Sequence, residues 1–336
     1  MKFLQKGILR SLMLTVSLGS GAAVTTAMAA NPLVRVSTTY GDFTAELYQD
    51  RTPATVQNFL GYVDRGDYKR MVLHRVDKDF VIQAGSHQWK GDCVVSGVLP
   101  PACGPAFIPT QPEIVNEPGV SNVAGTLAMA KRDGFPNSAT SQWFINLRDN
   151  AATLDPQNGG FTAFGRVLGD GMDVATRINQ LSVIPVSNAI SQLPVRDFDF
   201  AASSAPSEKN LVLMNVWRVD RFSSSLHVFE FRTGRLSTYV NAGTSGRLSM
   251  LLNVVGNTGS DTIFQIDPAS VIPLAIEPEG MASFSMDDQR LRIPSVEVDD
   301  NGQVSVIRNV VLRMIDQASL RFVLESWDGP PAQTAN

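Results

Sequence analysis

Apolar and polar residues alternate strictly over much of the chain from Pro32 onward. Leu33–Thr38 and Phe43–Tyr48 alternate around Tyr40-Gly41-Asp42, the pattern of a β-hairpin. The period then changes. Thr52-Pro53 offers an N-cap and a first-turn proline, Val56, Phe59, Leu60 and Val63 recur at helical spacing, and Gly66 ends the run. Val72–Val76 and Phe80–Ala84 return to period two on either side of the polar turn Asp77-Lys78-Asp79. In the first, Val72, His74 and Val76 alternate against Leu73 and Arg75; in the second, Phe80 and Ile82 alternate against Val81 and Gln83. Strands are also predicted at Gly125–Ala130, Trp143–Leu147 and Phe164–Val167, and a second helix from about Met172 to Leu181. Ile184–Asn210, with Pro185, Pro194 and Pro206, reads as an elongated loop before a last strand at Leu211–Val219. Many short strands with two helices point to a closed β-barrel, which leaves no free sheet edge.

The texture changes after Asp220. Leu226–Phe231, Leu236–Val240, Leu248–Val255, Thr262–Ile266, Ala282–Met286, Val304–Val311 and Ser319–Leu324 are strand-like segments parted by Gly, Asn, Asp and Pro. This spacing predicts a small all-β, sandwich-like domain. Asp299-Asp300-Asn301-Gly302 is a turn signal; it lacks the spaced oxygen ligands and later Glu of a calcium loop. The organisation expected is therefore a leader over 1–30, a mainly β domain over 31–222, a second β domain over 223–328, and a disordered tail over 329–336.

The leader reading rests on Lys2, Lys6 and Arg10 ahead of the apolar stretch Ser11–Val24, with small residues at Ala27-Met-Ala29 for cleavage near Ala30 or Asn31. That apolar run is short for a membrane span, and no later segment is long enough, so a mature chain free of the membrane is expected. An exported protein follows, in a periplasm or beyond the cell. Removing the leader takes the formal charge from −4 to −7, which gives nucleic-acid binding no support. In an oxidising compartment Cys93 and Cys103 are expected to form a loop-closing disulfide rather than a metal site, since the only nearby histidine is His87.

Arg75 is a cation inside an apolar β-run, and such a residue either faces solvent or lines a site. Its surroundings decide the matter. The His74-Arg75-Val76 run, Phe80, Gln83 and the later Ser141-Gln-Trp-Phe-Ile145 resemble a cyclophilin-type peptidyl-prolyl cis/trans isomerase. Gly125-Thr-Leu-Ala-Met-Ala130 and Phe161-Thr-Ala-Phe-Gly-Arg-Val167 share the resemblance. The blocks stand in the family's order over roughly Pro32 to Asp220. No family resemblance extends to the remainder. The resemblance implies an antiparallel eight-stranded barrel with a helix over each open end.

The same resemblance implies a catalytic role for Arg75, Phe80 and Gln83, with Arg75 as hydrogen-bond donor and Gln83 holding the guanidinium or the substrate carbonyl. Phe80, Met129, Phe144 and Leu154 match the apolar walls of the proline pocket, Val81 stands at a pocket-lining position, and Phe161 caps the slot. The backbone of Ala130 and Lys131 falls where the residue before proline is bound, and Gln142 borders the next subsite. The partners implied are proline-containing segments of unfolded or exported proteins, with a protein partner for the second domain. The reaction calls for no metal or cofactor. Departures from the pattern are Leu73 for Phe, Val81 for Met, Ala84 for Gly and Thr153 for Trp or Phe, the last weighing against cyclosporin binding. His74 alternates away from Arg75 and reads as structural, His87 and His227 occupy unrelated contexts, and no Ser/His/Asp pattern supports a hydrolase. The alternative in another class is a barrel that binds or chaperones proline segments in the cell envelope without turnover.

Overall fold

The computed structural model describes residues 30–92, 103–187, 190–199, 201, 205–258 and 261–329. Nearly all of the expected leader, Cys93 of the expected disulfide, and all but the first residue of the expected tail lie outside the described residues. The first part of the chain contributes β1 (Leu33–Thr38), β2 (Gly41–Leu47), α1 (Pro53–Arg65), β3 (Met71–Val72), β4 (Arg75–Asp77), β5 (Val81–Ala84), β6 (His87–Trp89) and β7 (Pro105–Phe107). There follow β8 (Thr126–Met129), β9 (Trp143–Asn146), a short α2 (Ala151–Leu154), β10 (Ala163–Val167), α3 (Met172–Asn179), β11 (Ser182–Ile184), β12 (Leu193–Val195) and β13 (Leu213–Val219).

One sheet runs β4-β5-β9-β8-β10-β2-β1-β13-β3-β6-β7. Only Leu73 and His74 separate β3 from β4. This bent segment pairs with β13 at its start and with β5 at its end, so the sheet closes into a barrel. Leu73 N–H donates to Val212 O at 3.0 Å and His74 N–H to Gln83 O at 3.2 Å across the bend. The sheet has eleven strands rather than eight, because the bend splits one strand into two and β6 and β7 extend the edge. Inside lie Val36, Leu47, Ile82, Leu127, Ile145 and Phe164, joined by Phe59 and Tyr62 of α1 and by Val174 and Ile178 of α3.

The cap of α1 differs from expectation. Thr52 occupies the N-cap position without a side-chain cap bond, and its hydroxyl donates to Tyr48 O at 3.1 Å. Glu117 does the capping instead, its carboxylate accepting the Ala54 and Thr55 amides at 3.1 and 2.8 Å. An anion there also suits the positive end of the helix dipole.

The second part forms a nine-stranded sheet from β14 (Val228–Glu230), β15 (Arg235–Asn241), β16 (Arg247–Thr258), β17 (Asp261–Ile266), β18 (Ile272–Pro273), β19 (Ala282–Ser285), β20 (Arg290–Asp300), β21 (Gln303–Asp316) and β22 (Arg321–Asp328). It too closes, and this corrects the sandwich-like expectation. β15 pairs with β16 on one side and with β14 and β19 on the other; β20 pairs with β21 on one side and with β19 and β14 on the other. β21, β22, β17 and β16 complete the ring. β20 escaped the alternation pattern because Pro294 interrupts it: the β20–β21 ladder breaks where Pro294 lies opposite Asn309, whose φ is +49°. The hairpin between them turns through Asn301 and Gly302, both at positive φ, as a tight two-residue loop requires.

The two barrels meet through buried polar contacts. Ser37 and Ser249 hydroxyls lie 2.8 Å apart, Tyr239 donates its hydroxyl to Asp42 at 2.6 Å, and Arg35 reaches the other oxygen of Asp42 at 2.8 Å. Asn215 donates to Ser270 O at 2.6 Å, and Ala275 N–H to Thr39 O at 2.8 Å. Among the described residues no helix is long and apolar enough to cross a membrane.

His74, at the bend, is buried. Burial, followed by the neighbouring His87 and Arg75, pushes its imidazole down from 6.5 to about 4. The unfolded chain therefore takes up a proton between those values that the folded chain refuses. Stability is predicted to be full above about pH 6.5 and to fall by roughly 3 kcal/mol as pH drops to 4. Urea titrations of wild type and His74→Phe across that range test this; equal slopes with pH in the two proteins would exclude His74 as the source.

Candidate active site

Cross-strand partners project from the same face of a sheet. The register makes Arg75, Gln83, Phe144, Ala128 and Ala163 direct neighbours along one row, crossing β4, β5, β9, β8 and β10. The adjacent row, Val76, Ile82, Ile145 and Leu127, fills the barrel interior. Arg75 and its row therefore lie on the outer surface. Val81 shares this face, two residues from Gln83.

An apolar cluster covers the middle of the row. Val81, Ala128, Phe144, Leu154 and Ala163 are buried in it, and half-buried Phe80, Val120, Ala130 and Phe161 form its rim. The Phe144 and Phe161 rings meet edge to face, with centroids 5.9 Å apart. The Arg75 side chain borders the cluster with 35% of its surface exposed. Three acceptors hold its guanidinium: Gln192 Oε1 at Nε (3.1 Å), Gln83 Oε1 at Nη1 (3.0 Å) and Asp77 Oδ2 at Nη2 (2.6 Å). Gln83 is itself fixed, donating through Nε2 to Gln142 Oε1 at 2.9 Å.

Most of the residues singled out in the sequence thus come together. Met129 does not. It is 1% exposed and packs in the barrel interior, because it shares the parity of Leu127, and Ala128 takes the outer position. Ala84 likewise points inward, so its replacement of a glycine does not reach the pocket floor. The glycine the geometry requires is the next residue: Gly85 has φ +94°, and a Cβ there would collide with the Ser141 carbonyl. Ala130 already donates its N–H to Gln142 O at 2.9 Å. The Lys131 side chain donates to Asn158 O and Gly160 O at 2.9 and 2.7 Å and lies 4.8 Å from the Phe161 ring centre. Burial lowers its pKa. Lys131 therefore props the Phe161 loop.

Sequence reasoning missed the polar frame behind the notch. Asn146 donates to Thr126 Oγ1 at 2.9 Å and accepts from Asn150 at 2.8 Å; Asn150 also donates to Phe80 O at 2.9 Å. Asn122 donates to Phe161 O and to Asp155 Oδ1, both at 2.9 Å. Burial works against the charge of Asp155, but the Asn122 donors outweigh it and hold this carboxyl below its usual range. One buried amide network thereby fixes the Phe80 turn, α2 with Leu154, and the Phe161 loop. The Asp77–Asp79 turn is anchored separately: Lys78 donates to Asn179 O, and Asn179 Nδ2 to Asp79 Oδ1 at 2.7 Å. Gln192 gave no pattern, since Arg75 is reached only in the folded barrel, and Asp77, two residues from Arg75 on the same strand, reads in the sequence only as turn polarity. Among the described residues no group of three His, Cys, Asp or Glu is placed to hold a metal ion.

The arrangement offers a fixed cation with hydrogen-bond donors beside an apolar notch. A family model for cyclophilin type peptidyl-prolyl cis-trans isomerases matches residues 33–197, the first barrel up to β12 and just beyond. The chain is 36% identical over 152 residues to peptidyl-prolyl cis-trans isomerase B of Escherichia coli, covering 44% of this chain and 83% of that protein. It is 38% identical over 149 residues to the peptidyl-prolyl cis-trans isomerase cyp18 of Streptomyces antibioticus, covering 43% and 81%. With a peptidyl-prolyl cis-trans isomerase of Acinetobacter baylyi the identity is 35% over 150 residues, covering 44% and 72%. The second barrel lies outside the residues that the family model matches. Since relatives at this identity are matched over most of their own length, the chain belongs to the cyclophilin-type peptidyl-prolyl cis/trans isomerase family.

Proposed function

We propose that the first barrel catalyses rotation about Xaa-Pro peptide bonds, with Arg75 as the hydrogen-bond donor and the Phe144 notch as the seat of the proline ring. The observation that carries this reading is the row in which Gln83 alone separates Arg75 from Phe144. Amide conjugation opposes the rotation with a barrier of about 18–20 kcal/mol. At the twisted transition state the proline nitrogen regains its lone pair and becomes an acceptor. A donor that meets the lone pair only then lowers the barrier, whereas equal binding of planar and twisted forms does not. A guanidinium suits the task because it is permanently protonated and has five N–H donors, of which described residues engage three. Phe144, Leu154 and Val81 grip the ring while the residue before proline swings, and Phe80 and Phe161 close the sides. Gln142 and the backbone at Ala130 and Lys131 border the path of the preceding residues.

One observation favours a second reading, a barrel that holds proline segments without turnover. Asp77 pairs with the guanidinium at 2.6 Å and offsets part of its charge. A peptide assay that follows the cis-to-trans rate decides between them. The isomerase reading predicts that Arg75→Ala lowers kcat/KM by about a hundredfold, the loss of a donor that acts on developing charge. Phe144→Ala is predicted to act mainly through KM, since it removes grip on both ground and transition states. Equal rates for wild type and Arg75→Ala, with peptide binding retained, would establish the binding reading.

The biological setting proposed is the folding of exported proteins. Support comes from the basic start at Lys2, Lys6 and Arg10, the apolar Ser11–Val24 and the small residues before Ala30. The second barrel then serves as a site for a protein partner or client. N-terminal sequencing of the cell-envelope fraction is expected to begin at Ala30 or Asn31. In that material Cys93 and Cys103 should resist alkylation until a reductant is added. A start at Met1, with both thiols free, would place the protein elsewhere.

A further inference from the structure

The segment between α3 and β13 is not a plain loop. β11 and β12 form a hairpin, with Ser182 opposite Val195 and Ile184 opposite Leu193. Gln192, immediately before β12, runs parallel to β4 beside Arg75, and its carbonyl accepts the Val76 N–H at 2.9 Å. With its backbone tied there, its side chain reaches Arg75 and accepts the Nε–H at 3.1 Å.

This contact differs in kind from the two made by Gln83 and Asp77. Those two residues belong to β5 and β4 and grip the terminal nitrogens. A guanidinium held only at its tips still swivels with its long stem. The Gln192 bond at Nε fixes the root of the planar group, so three acceptors on three nitrogens define one plane and one direction.

The hairpin is in turn clamped from behind. Ile184, Ile190, Leu193 and Val195 bury their side chains in one cluster with Val72, Trp89 and Ile272. Ile272 belongs to β18 of the second barrel and is fully buried. Arg70 adds a polar tie between the same parts, donating to Trp89 O at 3.3 Å and to Val271 O at 3.1 Å.

We infer that Gln192 is a positioning residue that aims the Arg75 guanidinium, and that the second barrel holds it in place through Ile272. This deepens the isomerase reading and rests on it. It also gives the second barrel a part in the first barrel's chemistry, besides any partner it recruits.

The test uses the full mature chain and two readouts. One is kcat and KM for a proline tetrapeptide, measured separately. The other is the exchange rate of the Arg75 Nε–H with solvent, followed by 15N NMR without substrate. Gln192→Ala is expected to lower kcat roughly tenfold with KM little changed, the weight of one charge-assisted hydrogen bond. It should also speed Nε–H exchange about tenfold. Gln192→Glu keeps an acceptor oxygen at the same reach and should restore both. Ile272→Ala, outside the apolar cluster of the notch, should move both readouts the same way by about threefold. Should that variant fail to fold, the milder Ile272→Val takes its place.

Unchanged kcat and exchange in Gln192→Ala would overturn the inference. So would a fall in kcat with exchange unchanged, the mark of general weakening. Unchanged readouts in a folded Ile272 variant would overturn the part given to the second barrel. A wild type without turnover, beside exchange that still depends on Gln192, would sink the isomerase reading and leave the aiming of Arg75 intact.

Discussion

The structure depends on a bend of two residues. At Leu73 and His74 one strand stops pairing with β13 and starts pairing with β5, and through that exchange the first sheet becomes a barrel. Closure sets the parity of everything that follows. Val76 is turned inward and Arg75 outward, opposite Gln83 and one strand from Phe144. A slip of one residue would send the cation into the core and the apolar row into water. Burying His74 in its neutral form is one cost of this bend, carried by the packing around it.

Much of this was legible in the sequence because short-range periodicity and local turn chemistry built it. α1, α3 and most strands of the first barrel follow from alternation and helical spacing, and the outer row from the family blocks around Arg75. The misreadings share a physical form: a partner distant in sequence did the work assigned to a local one. Thr52 has the right chemistry for an N-cap, yet Glu117 satisfies those amides from another loop. Met129 was placed in the wall by its family block, although strand parity sends it inside and Ala128 outside. Gln192 looked like loop, since it has no pattern until the barrel brings Arg75 to it. Proline misled twice. Pro294 hid β20, and Pro185 and Pro194 disguised the β11–β12 hairpin, because each removes a donor that an alternating pattern presumes.

The second barrel shows why strand count alone cannot separate a sandwich from a barrel. The distinction lies in how long strands share their neighbours. β15 and β20 each divide one side between β14 and β19, so no edge is left to define a second layer. Lengths of eleven and fourteen residues in β20 and β21 make that sharing feasible. The strand windows read in the sequence, Ala282–Met286 and Val304–Val311, skip β20 and take in only part of β21.

Part of the contact between the two barrels is made of hydroxyls, amides and a carboxylate: Ser37 against Ser249, Asn215 against Ser270, and Asp42 shared by Arg35 and Tyr239. Such groups contribute little net adhesion, because water would satisfy them nearly as well. Their demand is angular. Any rotation or slide of one body against the other strands several buried donors and acceptors at once, each without a substitute. These groups therefore work as a key in a keyway: stiff against turning, and suited to delivering Ile272 to the same spot every time the chain folds.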